Sequence, residues 1–174
     1  MKSKHRNVAS SSNHICLEIF YSQIGKKDIQ LIQNALSTTY IDVLDFFIGK
    51  ELELPEKAYN FEREQYNADI LLSYLLKIKK IDTALWVLQK DLYCEGLNFV
   101  FGLAKYLGGA ILSINRLSSS ELIEKEANHE IGHVLGLKHC SNYCVMQFSN
   151  TLLDAKMKPS YLCESCKRKL TFLE

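Results

Sequence analysis

The run from His129 to His139 constrains this chain more than any other: it reads HEIGHVLGLKH, the pattern HExxHxxGxxH. Residues four apart on an α-helix lie about 40° apart around its axis, so His129 and His133 share one face. Gly136 can take a positive φ and end the helix, which lets the chain bring His139 back beside them. Three imidazoles converging in this way make a zinc site with one coordination position open, as a catalytic rather than structural zinc requires. Glu130 adjoins the first ligand, where it can take a proton from a metal-bound water instead of binding the metal. A carboxylate as third ligand would have to be Glu164, between two cysteines, or Glu174, the last residue. Neither is placed as well as His139.

The cysteines point to a second metal. Cys140 follows His139 directly, Cys144 comes shortly after, and Cys163 and Cys166 form a CxxC. Two close thiol pairs separated by a loop suit a closed tetrahedral Cys₄ zinc, a structural site. A pair of disulfides also fits the spacing, but it needs an oxidising compartment, and the N-terminal residues lack the apolar core of a signal peptide. Zinc is therefore preferred, two ions per chain in all, in a reducing cytoplasm. Cys16 and Cys94 stand apart in apolar, strand-like contexts and are read as buried core thiols.

The stretch from His129 to Cys166, HExxHxxGxxHC followed by Cys144-Val145-Met146 and the CxxC, resembles the archaemetzincins. Upstream, Asp91-Leu92-Tyr93, the run from Gly96 to Gly102, Gly108-Gly109 and Arg116-Leu117 agree with it. The likeness covers the second half, from about Leu85 onward, and is weak before that. It implies a metzincin-type zinc protease with a cysteine-bound zinc beside the catalytic one. It also implies that Met146 is the Met-turn residue, an apolar floor beneath the three histidines; from the residues alone it reads as a core methionine. Asp154 and Lys156 resemble family positions too and are read as turn and capping residues. The chain departs from the family pattern by one residue fewer between the first two cysteines, and one fewer between the methionine and the CxxC. Leu88, Gln89 and Leu103 stand where the family tends to carry polar or acidic residues, so substrate preference is expected to shift.

The element pattern gives an alternating βα order. Residues 15–21, 43–48, 84–88, 97–101 and 110–114 read as strands, and 27–36 and 68–80 as helices with apolar residues at helical spacing. The active-site helix is expected to start near Ser118, with Ser118 and Glu121 as a capping box. Ile123, Ala127, Ile131 and Val134 form the stripe that docks on the sheet. The expected fold is α/β (α+β): a metzincin-like domain with a twisted mixed sheet packed on helices and a small C-terminal Cys₄ zinc part. Residues 1–13 are expected to be a disordered tail and 14–174 one domain, its sheet and active-site helix in 14–136 and a zinc-stapled portion in 137–174.

A formal charge of +1 gives no strong pull toward nucleic acid or a membrane surface, and Lys2, Lys4, His5 and Arg6 are read as solubilising charges. No segment approaches the ~18 consecutive apolar residues of a membrane span. The function expected is a monomeric zinc peptidase acting on peptides, with Glu130 as general base. The alternative is a weak or inactive metal-stabilised protein that binds peptides or serves as a scaffold, which the shortened loops favour and the intact Glu130 opposes.

Overall fold

Strand β5 (Thr83–Leu88), TALWVL, is buried along its whole length and lies in the middle of the main sheet. A strand covered on both faces reads as a continuous apolar run rather than an alternation. In the computed structural model, which describes residues 14–170, that sheet has the order β2-β1-β5-β8-β7. Strands β1 (Ile15–Ser22), β2 (Leu44–Glu51), β5 and β8 (Gly109–Ser113) run parallel, and β7 (Gly102–Lys105) closes one edge antiparallel to β8. A second, small sheet joins β3 (Tyr59–Asn60), β4 (Gln65–Asn67) and β6 (Leu92–Tyr93). The tail 1–13 and Glu174 lie outside the described residues.

Alternate residues of each strand serve opposite layers. Leu17, Ile19, Leu85, Val87, Ala110 and Leu112 pack in one core with α1 (Lys26–Thr39) and α3 (Ser120–Val134). Phe20, Ala84, Trp86, Leu88 and Ile111 face the other way, onto α2 (Ala68–Ile78). Helix α1 buries Ile29, Ile32 and Leu36, one face at helical spacing. Helix α2 begins where the Asn67 side chain accepts the backbone N–H of Ile70. Two short helices, α4 (Leu152–Met157) and α5 (Glu164–Leu170), complete the chain; α4 opens on a capping box between Thr151 and Asp154.

Three expectations need correction. Residues 97–101 are not a strand: Val100 makes a lone bridge to Leu92, and the edge strand is β7, just after them. The apolar side chains of this segment face a cleft instead of a sheet, while Arg63 donates to the carbonyls of Leu97 and Asn98. The cap of α3 is Ser119, not Ser118, and it takes the N–H of Leu122 without a reciprocal glutamate. Ser118-Ser119-Ser120 offers three hydroxyls in a row; the turn closed by Leu117 N–H on the Ile114 carbonyl leaves Ser119 as the extended one. Finally, Cys16 and Cys94 are only half-buried, and Cys94 packs at the margin of the second core while also lining the cleft.

Candidate metal centres and the cleft between sheet and helix

Helix α3 ends at Val134, and the turn beyond it decides where the third histidine goes. Gly136 has φ +87°, its N–H bonds the His133 carbonyl, and the Leu137 N–H reaches back to Gly132. This is the paired closure of a Schellman motif, which a residue without a Cβ at Gly136 makes easy. It turns the Leu137 carbonyl toward the helix, where it lies 2.8 Å from Nδ1 of His133. Two residues further, the His139 ring stands 4.8 Å from that of His133 and 5.4 Å from that of His129.

The ligand-capable nitrogens of His129, His133 and His139 all lie within 4.8 Å of one another, and Nε2 of His129 is 3.1 Å from Nε2 of His133. Donors held at about 2.0–2.1 Å from one tetrahedral ion stand roughly 3.3 Å apart, so the spacing fits zinc. Nδ1 of His129 is 2.9 Å from the Val145 carbonyl. In both helix histidines a carbonyl accepts the Nδ1 proton, leaving the Nε2 lone pairs turned inward. All three rings are kept neutral: burial lowers each pKa first, and the Lys158 ammonium adds to it, taking His129 down to about 2. Neutral imidazoles are what a cation needs.

Glu130 is buried beside these rings, on the floor of a cleft of about 970 Å³. Burial, then the charge of Glu126, raises its carboxyl to about 8, with Lys158 opposing. A divalent cation on the neighbouring histidines would push that value back down. Strand β7 forms one wall, through Gly102, Leu103 and Ala104, and Phe148 stacks edge-on to His139 at 4.9 Å. A Cβ built on Gly102 would come within about 2.5–2.7 Å of the Glu130 carboxyl. Gly102→Ala should therefore keep fold and metal content but lower kcat/KM for a cleaved peptide by roughly 10²-fold, the cost of misplacing a reacting group by an ångström. Unchanged kinetics would show that Glu130 has freedom to move.

Met146 is fully buried, and a Cβ on Gly132 would fall on its sulfur, so side chain and helix meet closely one residue before His133. Asp154 sits in the capping box of α4, and the carbonyl of Lys156 accepts from Lys125. Glu164 is exposed and paired with Lys167, away from the histidines. Cys94 is no competing nucleophile: burial, then the charges of Asp69 and Glu130, raise its thiol to about 11.

The four remaining thiols form the second cluster. The sulfurs of Cys140, Cys144, Cys163 and Cys166 lie within 4.8 Å of one another, and those of Cys140 and Cys163 are 3.8 Å apart. A disulfide needs about 2.05 Å, whereas four sulfurs around zinc at about 2.3 Å stand roughly 3.8 Å apart. The geometry fits the metal and not the bridge. The Cys163 N–H points at the Cys144 sulfur, and Asn142 donates to that of Cys163. Burial works against ionising Cys163, but the Cys166 N–H, Asn142 and the adjoining thiols draw it down to about 6. The two clusters share backbone: Cys140 follows His139, and its N–H bonds the Met146 carbonyl next to Val145.

Sequence reasoning missed two residues here. Lys158 and Glu126 form a buried ion pair against His129. A lysine after a short helix reads as surface, and no local spacing connects it to residue 126.

Among the described residues no helix is long and apolar enough to cross a membrane. The model of Peptidase family M54 matches residues 48–171. The archaemetzincin of Archaeoglobus fulgidus is 41% identical over 157 residues, covering 86% of this chain and 94% of that protein. That of Nanoarchaeum equitans is 46% identical over 122 residues, 70% of this chain and 72% of the other. The crystal structure of the archaemetzincin of Methanopyrus kandleri superimposes with a TM-score of 0.84 at 32% identity, covering 95% of this chain and 98% of that one.

Proposed function

The chain belongs to peptidase family M54, the archaemetzincins, and is a zinc metallopeptidase; from that premise we propose that Glu130 is its general base, at a catalytic zinc held by His129, His133 and His139. The observation that carries this reading is the convergence of three inward-facing imidazole nitrogens within 4.8 Å, beside a buried carboxylate on a cleft floor. When bound, the zinc supplies Lewis acidity, making water easier to ionise and polarising a carbonyl. Glu130 takes the proton as water attacks the peptide carbonyl and passes it to the leaving amine. Met146 supports the helix under these ligands. An extended peptide lies along the free edge of β7, whose residues 102–104 line the cleft, and completes the sheet there.

The same reading gives Cys140, Cys144, Cys163 and Cys166 a second, structural zinc. It ties 137–174 to the sheet and active-site helix of 14–136, making 14–174 one domain that works as a monomer in a reducing, cytoplasmic setting. Peptides are its substrates; nucleic acid and membranes are not partners. Zinc-loaded protein given a broad peptide library should produce cuts that cease when a hydroxamate is added and return when it is removed. A protein that binds two zincs and binds peptides but cuts none would instead be the peptide-binding scaffold.

A further inference from the structure

A lysine side chain with 1% exposure needs a partner to stay charged, and Lys158 has one in Glu126, 3% exposed, with Nζ 2.8 Å from Oε1. The approach is close but off hydrogen-bonding geometry, since the same oxygen has no aligned donor. Glu126 lies three residues before His129 and four before Glu130, on their face of α3. The ammonium also comes to 3.3 Å from Nδ1 of His129.

That last contact decides what the lysine does. Nδ1 of His129 is 2.9 Å from the Val145 carbonyl, which can only accept, whereas an ammonium can only donate. With Nε2 of His129 kept for the cation, Nδ1 carries the ring proton; that proton goes to Val145, and the ammonium stands beside an N–H without bonding it. Were the lysine neutral or missing, Glu126 would be an uncompensated carboxylate in the same buried space. A carboxylate is a stronger acceptor than a peptide carbonyl. The Nδ1 proton would be drawn to it, and the ring, with its Nε2 lone pair, would turn away from the other histidines. Neighbouring bonds hold the lysine in place: Lys125 donates to the Lys156 carbonyl, Asn128 to that of Ser160, and the Val145 N–H to that of Tyr161. Stability alone is a poor reason for such a pair, because buried ion pairs are often replaced by neutral groups without loss.

We propose that Lys158 is a positioning residue for the metal site: it engages the Glu126 carboxylate, leaves Val145 as the acceptor of the His129 ring proton, and so aims Nε2 of His129 at the cation. This rests on the reading of His129 as a ligand. The test is cobalt(II) loading, read by the visible spectrum of the histidine site, together with zinc affinity by competition with a chromophoric chelator and the thermal midpoint. Lys158→Met should weaken metal binding at the histidines by roughly 10- to 100-fold, the usual cost of losing an outer-shell partner. It should also shift the cobalt bands while leaving the thiolate charge-transfer bands of the cysteine site unchanged. The double variant Glu126→Gln/Lys158→Met, which removes the competing carboxylate as well, should return affinity and spectrum close to wild type. If Lys158→Met does not fold, Lys158→Gln is read instead: it keeps a donor for Glu126 without the charge, so affinity and spectrum should move in the same direction but by less. A lowered thermal midpoint with unchanged affinity and spectrum would overturn the proposal, as would a double variant that fails to recover. Wild-type protein taking up no cobalt at the histidines would overturn both this and the ligand reading.

Discussion

Glu130→Gln should lower kcat/KM for peptide hydrolysis by roughly 10²–10⁴-fold, the range that general-base catalysis contributes. The amide occupies the same buried space beside Gly102 and leaves the three imidazoles untouched. Zinc content, thermal midpoint and KM should therefore stay near wild type while kcat collapses. That split distinguishes loss of a proton acceptor from loss of the site, because a group acting only in the transition state lowers kcat and kcat/KM alike. The environment of the carboxyl suits a general base. Burial followed by Glu126 drives its pKa up to about 8, Lys158 opposes them, and a cation on the three histidines would pull the same way as Lys158. A variant retaining most of the wild-type rate would show that another group accepts the proton.

Cys166→Ser should act on stability first and on the active site second. Cys166 is buried, and Leu162, Cys166 and Leu170 pack against the core shared by α1 and α3. The segment after Met146 has two short helices, too short to hold themselves without tertiary support. Binding free energy at a structural zinc is folding free energy, about 10 kcal/mol or more in small zinc domains. Set against a total stability of about 5–15 kcal/mol, losing one of four ligands is a large perturbation. The expected result is one fewer zinc per chain, a thermal midpoint lowered by more than ~10 °C, and early amide exchange over residues 140–170. Activity should fall as well, since Cys140 follows His139 and Val145, within the same loop, accepts the His129 ring proton. Full thermal stability together with full activity would separate the two metal sites.

The site was legible because its geometry is local. HExxH puts two histidines on one face through the pitch of one helix, Gly136 sets the turn, and His139 follows within three residues. The cysteines could be paired by spacing, and the 3.8 Å sulfur separation adds a geometric argument for metal over disulfide to the one from compartment. The strands of the main sheet were legible where burial on both faces made continuous apolar runs, as in β5. Residues 97–101 misled because Leu97, Phe99, Val100 and Phe101 are apolar for a cleft wall rather than a sheet. Helices α4 and α5 are too short to show a period, and what holds them is a capping box and a thiol cluster. Lys158 and Glu126 stayed hidden because their pairing joins two segments far apart in the chain, and sequence assigns both to solvent.

Metal content per folded chain tests the central claim most directly, that imidazoles from one helix and the turn beyond it hold a single catalytic ion while four thiols hold another. Elemental analysis of zinc-loaded protein should give two zincs in the wild type, one after His133→Ala with the cysteine-bound ion retained, and two in Glu130→Gln. A wild-type chain that binds one zinc or none, or a His133→Ala variant that still binds two, would contradict it.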